Sequence, residues 1–184
     1  ERVRNPEAQA KFIEDIKNEF KVRDQFVAMA TTGSGKTVSA LTTAAHLGRR
    51  TLVLVHLQRL MEQWVEEIHD KLGVPYDKIG IARQGKCEWE GRDFTVGLIP
   101  SIARRLYQPA FYDAYGFLIV DEVHRCGQRN FSQVIQKFTA KYRLGLSATP
   151  KRRDGGDKVF FYHLGGIKVT SVAEALPLKV YVLP

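Results

Sequence analysis

Five short apolar runs punctuate the chain: Phe26–Ala30, Thr51–Val55, Phe94–Ile99, Phe117–Val120 and Tyr142–Leu146. They are rich in Val, Leu, Ile and aromatics and show little polar alternation. A strand that is apolar at consecutive positions must be covered on both faces, which is the condition inside a parallel sheet. The segments between them are amphipathic. Glu7–Phe20 places Ala10, Ile13, Ile16 and Phe20 on one helical face, and Leu57–Leu72 repeats Leu60, Trp64, Ile68 and Leu72 every fourth residue. Gly35–Leu47 and the shorter Phe131–Phe138 complete the helical candidates. Strand and helix in alternation require right-handed crossovers, and these put helices on both faces of the sheet. The expected fold class is therefore α/β, a three-layer α/β/α sandwich with a mostly parallel sheet. At 184 residues one such domain is expected over the whole chain, 1–184, with Leu178–Leu183 as a last strand.

Composition narrows the classes that remain. Hydrophobic residues make up 44% and charged residues 26%, the balance of a globular protein with an ordinary core. No apolar run approaches the ~20 residues of a membrane span, so no membrane partner is expected. Glu1 to Arg4 is charged and has no secretory character. Cys87 and Cys126 form no CxxC pair, and His124 beside Cys126 lacks the further ligands that zinc needs. Two free thiols suit a reducing compartment, the cytoplasm or nucleoplasm. The net charge is +8 and unevenly spread. From Ser101 to Arg153 ten basic residues, among them Arg104, Arg105, Arg125 and Arg129, face only Asp113, Asp121 and Glu122. Such a field attracts polyanions in a salt-dependent way, although the same charge also serves as a solvated surface.

The most specific local feature is Ala30-Thr-Thr32-Gly33-Ser34-Gly35-Lys36-Thr37, which leaves an expected strand and opens an expected helix. Wrapping a phosphate takes successive backbone N–H groups, and glycines let the chain turn and approach closely. The helix that follows aims its positive end at the anion. Thr32, Gly33, Ser34, Gly35, Lys36 and Thr37 are thus the nucleotide-binding candidates. Lys36 is expected to reach the β- and γ-phosphates and Thr37 to offer its hydroxyl to Mg²⁺. The loop on its own specifies only a nucleoside triphosphate.

Asp121 and Glu122 end the run Phe117–Val120, 85 residues beyond Lys36. Carboxylates there stand at the C-terminal edge of a parallel sheet, the edge from which the phosphate loop also departs. Asp121 is expected to hold Mg²⁺ and Glu122 to orient and deprotonate an attacking water. Adjacent side chains of an extended strand point to opposite faces, so the pair must sit where strand gives way to loop.

Asp121-Glu-Val-His124 resembles the DExH box of superfamily 2 helicases. Ser147-Ala-Thr149-Pro150 at the end of Tyr142–Leu146 resembles their Ser-Ala-Thr motif, and the resemblance runs through nearly the whole chain. It implies a RecA-like ATP-binding domain of a nucleic-acid-dependent ATPase, with His124 joining the catalytic set and Ser147 and Thr149 contacting it and coupling hydrolysis to domain movement. Leu52–Val55 with His56, Leu60, Gln63 and Trp64 resembles motif Ia. Gln84-Gly85-Lys86 stands at the place of motif Ib, and Thr95–Ser101 resembles the next groove segment. The resemblance implies nucleic-acid contacts at Gln58, Gln63, Gly85, Lys86 and Ser101. Read without it, Trp64 is a core residue, Gly85 a turn and Ser101 a helix cap. Ala148-Thr-Pro-Lys-Arg152-Arg-Asp154-Gly155 is similar to the branch of xeroderma-pigmentosum-B-type, phage recombination and restriction-enzyme motors, which favours DNA over RNA. Arg4-Asn5-Pro6-Glu7-Ala8-Gln9 departs in spacing from the family's adenine-reading segment, with Gln9 left to face the base. His56 replaces a common proline, and Gln58 stands where many relatives carry a basic residue.

The family pattern includes a second RecA-like domain that supplies arginine to the transition state. That domain is expected in the intact protein and not in these residues, so this chain is expected to bind Mg-nucleotide and hydrolyse it very slowly. Two other readings fit parts of the sequence. One is a nucleotide-gated nucleic-acid clamp or assembly subunit without strand-separating activity. The other is an unrelated phosphate-loop enzyme such as a small-molecule kinase, which the Ser-Ala-Thr strand disfavours.

Overall fold

A computed structural model describes residues 6–31, 33–125, 128–148 and 157–171. Helix α1 (Pro6–Val22) leads into β1 (Gln25–Ala30), α2 (Lys36–Leu47), β2 (Thr51–Val55) and α3 (Gln58–Leu72). Next come β3 (Ile79–Arg83), β4 (Lys86–Cys87), β5 (Phe94–Leu98), α4 (Ile99–Ala103) and α5 (Pro109–Asp113). The remainder is β6 (Phe117–Val120), a 3-10 turn at Val123–Arg125, α6 (Gln128–Ile135), β7 (Tyr142–Ser147), α7 (Asp157–Leu164) and β8 (Ile167–Ser171). One eight-stranded sheet runs in the order β4-β3-β5-β2-β6-β7-β1-β8, parallel throughout except for the β3–β4 hairpin. This is the three-layer, mostly parallel α/β architecture that the apolar runs require.

The pleat divides the core in two. Phe117 and Ile119 point into the layer under α1, α2 and α3, together with Val53, Val55, Phe26 and Ala28. Leu118 and Val120 point the other way, with Leu52, Leu54 and Val27, into the layer of α4 to α7. Every residue of β2 and β6 is therefore buried, and Val53 pairs with Val96 on one side and Ile119 on the other. Burying side chains of this size is worth ~1.5–3 kcal/mol each, so the central strands fix the register of the sheet.

Three strands and three helices escape the sequence reading, for different reasons. β3 carries only two large apolar residues, Ile79 and Ile81, where β7 carries Tyr142, Leu144 and Leu146. β8 alternates Lys168 and Thr170 outward because it lies at the sheet edge, where one face meets water. Helices α4 and α5 span five residues each, too few for a helical period to show. Ile99, expected at the end of a strand, instead begins α4, because Pro100 fits the first turn of a helix and cannot donate to a sheet. The expected helix Phe131–Phe138 is observed three residues earlier, at Gln128–Ile135. Leu178–Leu183 lies outside the described residues.

Gly145 in the middle of β7 shows how closely the layers meet. A Cβ there would lie 2.9 Å from Leu164 Cδ1, 3.1 Å from Val27 Cγ2 and 3.2 Å from Val123 Cγ1. Gly145→Val should overpack this junction of α7, β1 and the 3-10 turn. We expect a loss of ~1–3 kcal/mol, read as a lower midpoint in urea unfolding with an unchanged slope.

Candidate nucleotide-binding site

The chain leaves β1 at Ala30 and turns through Gly33 (φ 83°) and Gly35 (φ 85°) before α2 begins at Lys36. Both glycines hold the left-handed conformation, which lets the loop double back on itself. Ser34 closes the turn, its hydroxyl and its backbone N–H both donating to the Thr31 carbonyl. No side chain caps the N-terminus of α2, and its first turn holds no acidic residue. The first N–H groups of α2 thus lack a side-chain acceptor at the positive end of the helix, the arrangement that binds anions. Lys36 is nearly buried, and its Nζ donates to the carbonyls of Ala30 (2.9 Å) and Thr31 (3.2 Å). Thr37 follows it, half-buried in the first turn. Thr32 lies outside the described residues.

Gln9 comes to this loop from α1. A Cβ on Gly35 would collide with Gln9 Nε2, so the amide lies directly on the loop's glycine. That Nε2 is buried with no hydrogen-bond partner. An amide donor placed so lacks the partner that buried polar groups ordinarily have.

Asp121 and Glu122 stand at the C-terminal end of β6, two strands from β1. Asp121 keeps the parity of Phe117 and Ile119 and enters the α2–α3 layer, 8% exposed. Its backbone N–H donates to Leu54, and its Oδ2 accepts from Trp64 Nε1 at 2.9 Å. Glu122 breaks the pleat. It is the one non-glycine with positive φ among the described residues, at 48°. This left-handed step, unfavourable by ~1–2 kcal/mol for a residue with a Cβ, is the point where strand gives way to turn. Arg125 N–H then closes the 3-10 turn onto the Glu122 carbonyl at 2.7 Å. His124, carried by that turn, places Nδ1 3.1 Å from Ser147 Oγ and 3.3 Å from Glu122 Oε2. Ser147 itself is buried at the end of β7. Thr149 lies outside the described residues.

The charges at this edge act on each other. Burial pulls the Lys36 ammonium pKa below its usual value, opposed by the negative charges of Glu122 and Asp121. Burial pushes the Asp121 carboxyl up, and the Glu122 charge adds to it. The Trp64 hydrogen bond, Lys36 and the Glu122 backbone N–H act the other way. Lys36, Asp121 and Glu122 therefore share one electrostatic environment although the first and last are far apart in sequence.

The residues expected to meet nucleic acid occupy the other half of the same edge. Gly85 (φ 79°) forms the open tip of the β3–β4 hairpin. Lys86 beside it is exposed and paired with Glu88 at 3.1 Å. Ser101 is half-buried inside α4, whose N-cap is Leu98, so it is not the helix cap that the sequence alone allows. Gln58 and Gln63 are exposed on α3, with Gln58 Nε2 bonded to Glu62 at 3.1 Å. Strands β3, β5 and β2 are consecutive in the sheet, so these positions follow one another toward Asp121.

Two residues of the motif Ia stretch stand at the site in ways that the sequence did not indicate. Trp64 lies in the core as its spacing predicts, but its N–H reaches the carboxylate of a residue 57 positions away. His56, at the end of β2, has a buried Nδ1 without a hydrogen-bond partner, and burial lowers its pKa. The charges that face it are Asp121, Arg125, His124 and Arg59.

Residues 3–152 match the family described as Type III restriction enzyme, res subunit. The chain belongs to that family. With the relatives below, the match makes this chain an ATP-binding domain of the superfamily 2, DExH-like helicase type, with a RecA-like fold. A protein of Acanthamoeba polyphaga mimivirus named as an ATP-dependent RNA helicase is 37% identical over 135 residues, 73% of this chain and 25% of that protein. The chain thus spans about a quarter of the length of that relative. Among solved structures, the Hef helicase domain of Pyrococcus furiosus superposes with a TM-score of 0.70 at 22% identity, over 87% of this chain and 37% of that one. The Sulfolobus solfataricus SWI2/SNF2 ATPase core in complex with dsDNA gives 0.66 at 17% identity, over 85% and 35%. At those identities the superpositions establish the fold. No helix among the described residues of this res-family domain is long and apolar enough to cross a membrane.

The strained turn of the res-family box gives a direct test. Glu122→Gly removes the Cβ that makes φ 48° unfavourable, so the domain should gain up to ~1 kcal/mol in chemical unfolding. Glu122→Ala keeps the Cβ and should show no such gain.

Proposed function

We propose that this domain binds ATP with Mg²⁺ and, in the intact protein, hydrolyses it to drive movement along or separation of DNA strands. The observation that carries the reading is the convergence of Lys36, Asp121 and Glu122 at one sheet edge, beside an uncapped helix N-terminus. Lys36 leaves the Ala30 and Thr31 carbonyls for the β- and γ-phosphates, which the backbone N–H groups from Gly33 to Thr37 surround. Thr32 and Ser34 complete the loop. Gln9, its amide lying on Gly35 without a partner, turns that donor to the adenine edge.

The donor set fits Mg²⁺. The Thr37 hydroxyl and the Asp121 carboxylate, which accepts from Trp64 at Oδ2, are hard oxygen ligands. Among the described residues no group of three His, Cys, Asp or Glu could enclose an ion alone, so the phosphates and water must supply its other ligands. When bound, the ion neutralises phosphate charge. Glu122 orients a water and takes its proton. His124 Nδ1 lies between the Glu122 carboxylate and the Ser147 hydroxyl, and one ring nitrogen cannot serve both fully. A shift of β7 that moves Ser147 therefore changes what Glu122 receives. Thr149 joins Ser147 in that coupling, and a second RecA-like domain in the intact protein responds to it.

The polymer lies across Gln58, Gln63, Gly85, Lys86 and Ser101, touching mostly backbone phosphates. DNA is favoured by the similarity of residues 148–155 to duplex-DNA motors and by a family described as a restriction-enzyme subunit. The name of the mimivirus relative supports RNA instead. The test is the ATPase rate of the intact protein with single-stranded DNA, duplex DNA or RNA at two salt concentrations. Stimulation by DNA is expected, weakened by salt and abolished by Lys36→Ala, with Glu122→Gln retaining nucleotide binding without turnover. Preferential stimulation by RNA would reassign the track. A rate indifferent to every polymer would favour a nucleotide-gated clamp or assembly subunit.

A further inference from the structure

Trp64 is the largest fully buried side chain near the site, 1% exposed in the layer between α3 and the sheet. Its indole N–H is a donor only and has one direction. The ring is locked by close-packed neighbours, so that direction is fixed by the position of α3. The N–H meets Asp121 Oδ2 at 2.9 Å. The Asp121 main chain donates to Leu54 of β2, and its carboxylate also accepts from the Glu122 backbone N–H. Core packing alone would be met by a phenylalanine at position 64. The polar contact requires tryptophan.

We infer that Trp64 is a positioning residue that orients the Asp121 carboxylate toward Mg²⁺ and ties that orientation to helix α3. This rests on the nucleotide reading above. Helix α3 also bears Gln58, Arg59 and Gln63, all exposed at or near its N-terminal end. A polymer that displaces α3 displaces the N–H that aims Asp121. By linkage, whatever polymer binding does to the affinity for Mg-nucleotide, Mg-nucleotide does to the affinity for polymer. Residues that orient a metal-binding side chain typically change metal affinity 10–100-fold when replaced, and this one touches a single oxygen.

The experiment uses the 184-residue chain, a fluorescent ATP analogue and a Mg²⁺ titration. Trp64→Phe keeps an aromatic ring and removes the N–H. The half-saturating Mg²⁺ concentration for analogue binding should rise about tenfold, while analogue binding in EDTA stays at the wild-type level. A variant that merely loosened the core would weaken both. A second measurement needs no change at Trp64. The chain has two tryptophans, and Trp89 lies at the far edge of the sheet after β4. In Trp89→Phe the emission comes from Trp64 alone, and it should change when Mg²⁺ is added to the ATP-bound chain but not when ATP is added in EDTA. Normal analogue binding with an unchanged Mg²⁺ dependence in Trp64→Phe, or silent Trp64 emission, overturns the role of Trp64 and leaves the nucleotide reading standing. A wild-type chain that binds the analogue no better than Lys36→Ala overturns both.

Discussion

Two opposite charges, Lys36 and Asp121, are taken nearly out of water at one edge of a parallel sheet, and neither forms a direct ion pair with the other among the described contacts. Holding them so is unfavourable unless each has other partners. The carbonyls of Ala30 and Thr31 serve the ammonium, and the indole of Trp64 serves the carboxylate. The fold provides those partners. The loop after β1 brings the carbonyls round, and α3 brings the indole over β6. A pair separated and pre-solvated in this way is ready for a ligand that carries negative charge and a cation at once.

Parallel strands make the arrangement possible. All the parallel strands deliver their C-terminal ends to one edge, so residues distant in sequence become neighbours there without a long loop. The pleat then decides which face each side chain takes, and Asp121 enters the α2–α3 layer by parity alone. Glu122 cannot follow by parity. The left-handed turn at φ 48° resolves the conflict by ending the strand between the two carboxylates. Strain of this kind persists only where the surrounding structure holds the residue in place.

The central strands were legible in the sequence because burial on both faces writes a continuous apolar run, and the observed ends of β2 and β6 coincide with those runs. β3 and β8 were not, since β3 has only two large apolar residues and β8 is exposed at the sheet edge. The turn after β1 was legible because it is local: its glycines and the start of α2 lie within eight consecutive residues. The end of β6 between strand and loop could be deduced from the pleat, though not the sign of φ at Glu122. The Trp64–Asp121 contact had no such trace. A tryptophan at helical spacing serves packing equally well, and only the assembled layers show what its N–H meets. His124 and Ser147 were placed together by the family resemblance, and the distance of 3.1 Å is a tertiary fact that neither segment encodes alone.

The sheet order has a mechanical consequence. The half of the edge assigned to polymer ends at β2, the half assigned to nucleotide begins at β6, and these strands are hydrogen-bonded neighbours. Adjacent strands lie about 4.8 Å apart. The two halves therefore share a rigid seam rather than a long chain of intermediates. Close packing leaves such a seam little elastic give to absorb a push from either side. Any coupling between the two proposed sites would pass through this short, stiff seam.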